Sequence, residues 1–328
     1  MRSLSEIRST LPTYPIEIVF PDISRWRSGN CGIDYLHTRD SGQPGPHVLI
    51  LALVHGNEVS GAIAVDLLLR AQIQPARGRI SLCFANVQAY EGFDINQPDA
   101  SRFVDEDFNR VWGDTALNGD RDSVELRRAR ELRPFIDTVD FLLDIHSMHE
   151  ASEPLMMCGP LSKGRRFAAQ LGFPKYVIVD AGHADGKRLR DYGDFGNTDS
   201  PRNALLVETG QHFAKRSEEV AIDTACRFLL ESGVVDEAAI SKFLSRRVPS
   251  MQHFIEITEP VVARSMDFEF CEPFKGLEII PDKGTRIARD GEHAIVTPYD
   301  NCVIVQPSLR QLGAGVTVMR LGRFLQQQ

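Results

Sequence analysis

The chain has 328 residues, 42 % of them hydrophobic, and 37 basic against 45 acidic side chains give a formal net charge of −8. That length holds one large or two ordinary domains with a substantial core, and the acidic balance argues against a nucleic-acid surface. No stretch approaches the ~18 uninterrupted apolar residues of a membrane span, and Met1 to Glu6 lacks the apolar core of a secretory signal.

Residues 15–20 and 32–38 read as short strands, antiparallel neighbours of the strand that follows. His47 to Val54 is a near-continuous apolar run, the pattern of a parallel strand covered on both faces. It leads into His55-Gly56-Asn57-Glu58, and Val59 to Gln72 then carries Ile63, Val65, Leu67, Leu68 and Leu69, as suits a helix on a sheet. A buried strand, a polar turn and a helix put His55 and Glu58 at the carboxyl end of a sheet, where open α/β folds bind ligands. His-x-x-Glu there can offer an imidazole nitrogen and a carboxylate oxygen to one zinc ion. A hydrolytic zinc site needs one further ligand and an open position.

A strand at Arg79–Val87 and a polar loop from Gln88 to about Gly119 come next. Within the loop, Ser101 to Arg110 gathers Arg102, Asp105, Glu106, Asp107, Asn109 and Arg110. Arg110 can hold a carboxylate through two parallel hydrogen bonds, with Asn109 as a neutral donor. Arg102 can polarise a carbonyl and stabilise the oxyanion that develops, with Asp105 and Asp107 orienting the arginines. The loop alone reads equally well as a surface ion-pair cluster.

A helix from Ser123 to about Thr138 places Leu126, Ala129, Leu132 and Ile136 at helical spacing. Val139 to His146 is a second buried strand, and its last residue is the candidate third ligand. Asp144 leaves the strand on the same face, placed to accept the other ring N–H of a ligand histidine. His149 and Glu150 are substitute ligands or simply loop residues. Leu155–Cys158, a helix near 163–171 and a strand at Tyr176–Val179 follow, then a glycine-rich segment whose His183 could border the site. Asn203 to Glu208 is the last buried strand and Glu219 to Leu230 the last long helix. Hydrolysis at a zinc site needs a base for the proton of water, and Glu208 at its strand end is the candidate; a helix cap or an arginine partner is the alternative reading. This alternation argues for a mostly parallel sheet with helices on both faces.

After Glu237 the character changes to short strands separated by turns at Pro260, Pro273, Gly276, Gly284, Gly291, Pro298 and Pro307. Residues 1–237 and 238–328 therefore read as an α/β part and a small all-β part. Ala294 to Val305 suggests two strands around a tight turn, as in lipoyl-like barrels, without a lysine in the turn. The cysteines at 31, 83, 158, 226, 271 and 302 form no Cys-x-x-Cys pair, so reduced, mostly buried thiols in a cytoplasmic protein are expected.

Four segments, His55-Gly-Asn-Glu58, Arg102 with Asp107-Phe-Asn-Arg110, Asp144-Ile-His146 and Val207-Glu208-Thr-Gly210, resemble in type and order the succinylglutamate desuccinylase/aspartoacylase family. The resemblance implies a zinc carboxypeptidase-like fold, a mostly parallel mixed sheet with helices on both faces, plus a small C-terminal all-β domain. It implies His55, Glu58 and His146 as ligands of one Zn2+, Glu208 as general base and Arg102 as the carbonyl-polarising arginine. Asn109 and Arg110 would hold the carboxylate of the amino-acid part. Members that cleave acylated aspartate carry another arginine before the base, where this chain offers only Arg202 nearby. They also bring a tyrosine from the C-terminal domain, for which Tyr299 is the candidate. The expected function is zinc-dependent hydrolysis of the amide of a small N-acyl amino acid, without nucleic-acid or membrane partners. Oligomeric state stays open, a homo-oligomer included. The alternatives are a metallocarboxypeptidase acting on peptides and a non-catalytic metal- or metabolite-binding protein on the same fold.

Overall fold

Residues 3–182, 186–245 and 251–326 are described in the computed structural model of the chain. In chain order the strands are β1 (Leu36–Asp40), β2 (His47–Ala52), β3 (Arg79–Phe84), β4 (Phe141–Met148), β5 (Leu155–Met157), β6 (Tyr176–Val179) and β7 (Asn203–Gln211). The remaining strands are β8 (His253–Val262), β9 (Phe268–Phe270), β10 (Ile279–Ile280), β11 (Arg286–Asp290), β12 (His293–Val296), β13 (Cys302–Val305) and β14 (Thr317–Phe324). Eleven of them form one sheet in the order β1-β3-β2-β4-β7-β5-β6-β8-β14-β13-β10, and β12-β11-β9 form a separate three-stranded sheet. The heart of the large sheet, β3-β2-β4-β7, is parallel throughout.

The apolar run of β2 has a direct cause. Val48, Ile50 and Ala52 pack into one layer with Leu68 and Phe228, while Leu49 and Leu51 pack into the opposite layer with Leu126 and Leu132. Helices Val59–Arg70 and Lys215–Glu231 supply the first layer and Val124–Ile136 the second. With both faces covered, no position of the strand reaches water and polar alternation disappears. Truncating a residue such as Leu51 to Ala would cost about 2–5 kcal/mol.

Four sequence expectations are corrected. Residues 15–20 form no strand: Pro12, Pro15 and Pro21 interrupt the segment, and its hold on the body includes a single backbone bond from Glu17 N to Phe213 O. Strand β1 is not a neighbour of the strand that follows it: it pairs antiparallel with β3, which lies between it and β2. The loop from 88 onward contains short helices, among them Val87–Glu91, Pro98–Arg102 and Asp114–Asn118. The tight-turn pair within 294–305 does not form either, because β12 pairs with β11 whereas β13 pairs with β14 and β10.

Beyond residue 250 the chain joins the large sheet: β8 pairs in parallel with β6, and β14 with β8 antiparallel. The C-terminal strands thereby extend the sheet sideways beyond β6. Cys83, Cys158, Cys226 and Cys302 are buried, Cys31 and Cys271 are exposed, and all are free thiols. Among the described residues no helix is long and apolar enough to cross a membrane.

Candidate metal centre and active site

The turn after β2 is built around Gly56. Any Cβ there would stand 2.4 Å from the carbonyl carbon of Ala89 and 2.5 Å from Ser101 O, so only glycine admits the loop that carries Arg102. Gly56 N donates to Arg102 O at 3.0 Å and locks the two segments together.

Glu58 bridges two histidines: its Oε1 lies 2.8 Å from His55 Nδ1 and its Oε2 2.8 Å from His146 Nδ1. The far ring nitrogens are engaged as well, His55 Nε2 with Asp107 Oδ1 and His146 Nε2 with Asp144 Oδ2, both at 2.9 Å. Carboxylates on both Nε2 atoms favour a proton there, which would leave each Nδ1 as the nitrogen available to a metal ion. The three ligand atoms lie within 4.8 Å of one another and all three residues are buried. Two imidazole nitrogens and one carboxylate oxygen form a set that could hold a metal ion, of the donor types found in open catalytic zinc sites. Burial would raise the Glu58 carboxyl, but His55 and His146 outweigh it and hold it well below the ordinary range. Burial likewise opposes charge on His146, and Asp144 and Glu58 overcome it and raise its pKa.

The arginine loop is fixed from below by Glu125, a fully buried carboxylate at the start of helix Val124–Ile136. It accepts from the backbone N–H groups of Val104, Asp105 and Glu106 and from Asn86 Nδ2. Arg102 then reaches the centre, with Nη1 3.0 Å from Glu58 Oε1 and Nη2 3.4 Å from Asp107 Oδ2. Asp107 therefore spans His55 and Arg102. Asp105 departs from expectation: it orients no arginine and accepts from Val124 N at 2.7 Å. Asn109 Oδ1 accepts from Leu189 N at 2.9 Å, and its Nδ2 is 3.4 Å from His146 Nε2. Arg110 donates from Nη1 to Asn109 O at 2.8 Å and lines the same cavity.

Glu208 stands on β7 as the register partner of His146, and Gly210, at φ 115°, lies just beyond it within β7, where the ladder with β4 shifts register. Burial, and then the negative charge of Glu58, push its carboxyl up to about 8. Gln306 Nε2 donates to Oε1 at 2.8 Å, while Oε2 has no hydrogen-bond partner among the described residues.

These groups surround one cavity of about 690 Å3, which also receives Lys275, Gln306, Gln311 and Arg320 from the C-terminal part. Arg188 and Arg320 on its wall share Asp180: Arg188 Nη2 is 2.5 Å and Arg320 Nε 3.3 Å from Asp180 Oδ2. Arg202, the arginine nearest Glu208 in sequence, lies elsewhere and donates to Asp137 O. Tyr299 is not among the cavity-lining residues; its hydroxyl pairs with Thr258 Oγ1 at 2.7 Å and its ring packs on the C-terminal core. His149 lines the cavity but is engaged by His212 Nε2 and Asp99. Glu150 binds Arg310 and Tyr14. His183 lies outside the described residues.

Sequence reasoning missed Arg188, Gln306 and Arg320. A charge in the apolar run Val318-Met319-Arg320-Leu321 was a usable signal. Gln306 carried none.

Residues 44–215 match the family model for the succinylglutamate desuccinylase/aspartoacylase catalytic domain. No curated protein matches the chain by sequence. Among solved structures it is similar to a succinylglutamate desuccinylase from Vibrio cholerae, at 17 % identity and a TM-score of 0.67 over 89 % of this chain and 86 % of that one. A succinylglutamate desuccinylase from Chromobacterium violaceum is similar at 18 % identity and TM-score 0.64, over 90 % of both chains. The product-bound ectoine utilization protein EutE (DoeB) from Ruegeria pomeroyi is similar at 15 % identity and TM-score 0.59, over 95 % and 97 %.

Proposed function

The chain belongs to the succinylglutamate desuccinylase/aspartoacylase family, and from that premise we propose that it is a zinc-dependent hydrolase of the amide bond in small N-acyl amino acids. The observation that carries this reading is one cavity holding a His/Glu/His donor set, a buried carboxyl with an oxygen left without a partner among the described residues, and four arginines. His55, Glu58 and His146 would hold the zinc ion. Its chemistry there is Lewis acidity, which makes water nucleophilic near neutral pH and draws charge from a carbonyl.

This chain's own groups do the rest. Glu208 takes a proton from the attacking water and returns it to the leaving amide nitrogen, so the products are a carboxylic acid and an amine. Burial and the charge of Glu58 raise this carboxyl above the ordinary range, the direction that suits a group that must both gain and lose a proton. Arg102 pairs with the negative charge that builds on the carbonyl oxygen. Arg110, with Asn109 beside it, holds the α-carboxylate. Residues 1–237 would supply this chemistry, and 238–328 would close the cavity through Gln306, Gln311 and Arg320. That closure favours small substrates over peptides.

The test is a panel of N-acetyl and N-succinyl amino acids alongside peptides of increasing length, assayed with zinc-loaded protein for released amine. Turnover of acyl amino acids that declines with peptide length is the expected result. Turnover of peptides alone would assign a carboxypeptidase instead.

A further inference from the structure

We infer that Gln306, delivered from the C-terminal strands, is a positioning residue for Glu208, fixing the orientation of its carboxylate. The inference rests on the deacylase reading for its kinetic meaning and on geometry for the rest.

Gln306 follows directly after β13 and has φ 48°, a left-handed conformation in a residue that is not glycine. Such a backbone persists only where its surroundings hold it. Its amide is used at both ends. Nε2 donates to Glu208 Oε1 at 2.8 Å, and Oε1 accepts from Arg320 Nη1 at 3.4 Å. Arg320 is in turn placed by Asp180, which also holds Arg188. The result is a continuous path, Arg188–Asp180–Arg320–Gln306–Glu208, from β14 and the segment after β6 to the carboxylate.

The contact with Arg320 fixes the amide orientation: its oxygen must face the guanidinium, so its N–H faces Glu208. Glu208 is then held through Oε1, while Oε2 is buried without a hydrogen-bond partner among the described residues. A buried carboxylate without this tether could rotate about its last torsion angles, and proton transfer requires placement within a few tenths of an ångström. The C-terminal part thereby contributes to the catalytic geometry as well as to the cavity wall.

Gln306→Met tests this, because it keeps side-chain length and removes both hydrogen bonds. With the best substrate of the N-acetyl and N-succinyl panel, kcat should fall at least about tenfold while KM stays within about twofold. Zinc content should match the native protein and thermal unfolding should stay cooperative, with Tm still well above the assay temperature, which separates lost positioning from lost folding. Crystal structures of both proteins should show the Glu208 carboxylate displaced in the variant. An unchanged kcat in an active enzyme, or a Glu208 carboxylate that keeps its native place, overturns the inference. Should the native protein turn over no member of the panel, the deacylase reading fails, and the crystallographic comparison alone decides the role of Gln306.

Discussion

His146 and Glu208 are register partners on the adjacent parallel strands β4 and β7, and the ladder shifts register immediately beyond them. A candidate ligand and a candidate base separated by more than sixty positions in the chain are thus spaced by a hydrogen-bonded ladder. Such a ladder is rigid because each strand is buried on both faces. The parallel arrangement puts both side chains at the same sheet edge as His55, which follows β2.

Replacing His55, Glu58 or His146 with Ala should remove most bound zinc and nearly all activity, since two remaining ligands compete poorly with water and chelators. Metal analysis after gel filtration measures this, and chelator treatment of the native protein should reproduce the loss reversibly. Full zinc occupancy in His146→Ala would move the third ligand elsewhere, with His149 the first place to look.

Glu208→Gln should retain zinc and fold, because the new side-chain oxygen can still accept from Gln306 Nε2. It should lower kcat by at least ~10²-fold, since an amide cannot shuttle the proton. Steady-state kinetics beside a thermal melt separates the roles: a shifted Tm with near-normal turnover would assign Glu208 to structure.

Arg110→Ala should mainly raise KM for substrates with a free α-carboxylate, by roughly 2–4 kcal/mol of lost charge-assisted bonding. Arg102→Ala should mainly lower kcat, because its partner carries full charge only in the transition state. Arg102 also touches Glu58 and Asp107, so zinc content must be measured in the same preparation. Identical small changes in both variants would place the loop outside the chemistry.

Arg310 ties the C-terminal part to the cavity rim, with Nε 3.0 Å from Glu150 Oε1 and Nη1 3.2 Å from Asp99 Oδ2. All three side chains are nearly buried, so Arg310→Met should destabilise the fold by about 3–5 kcal/mol, by stranding two carboxylates. Burial works to raise the Asp99 carboxyl, but His149 and Arg310 outweigh it and hold it below its ordinary range. Its stabilising contribution is therefore complete above the unfolded value of about 3.9 and is lost as pH falls through the depressed folded value. Denaturant unfolding at pH 6 and pH 3 should show Asp99→Asn losing less stability on acidification than the native protein. An equal loss in both would assign the acid sensitivity to other carboxylates.

Much of the central fold was legible because its rules are local. The apolar run at 47–54, the helical spacing of Leu126, Ala129, Leu132 and Ile136, and polar residues at strand ends each express burial or exposure of consecutive positions. Proline overrode the apparent strand at 15–20, and the pairing of β12 and β13 into different sheets was invisible because strand partnership is not a local property. The buried role of Glu125 beneath the arginine loop was equally hidden, since its partners at 86 and 104–106 come together only in the fold.

What the sequence by itself determined is the chemistry available at each strand end: His55, Glu58, His146, Glu208 and the arginine loop stand where hydrophobic patterning ends a buried strand or opens a polar one. What only the tertiary structure decided is which distant groups share their cavity. Arg188 and Arg320 reach it and Arg202 does not, Tyr299 packs on the C-terminal core, and Gln306 meets Glu208 across 98 positions. The physical reason is that side-chain type follows from local burial, whereas the meeting of residues far apart in the chain follows from strand order and register, which local composition does not encode.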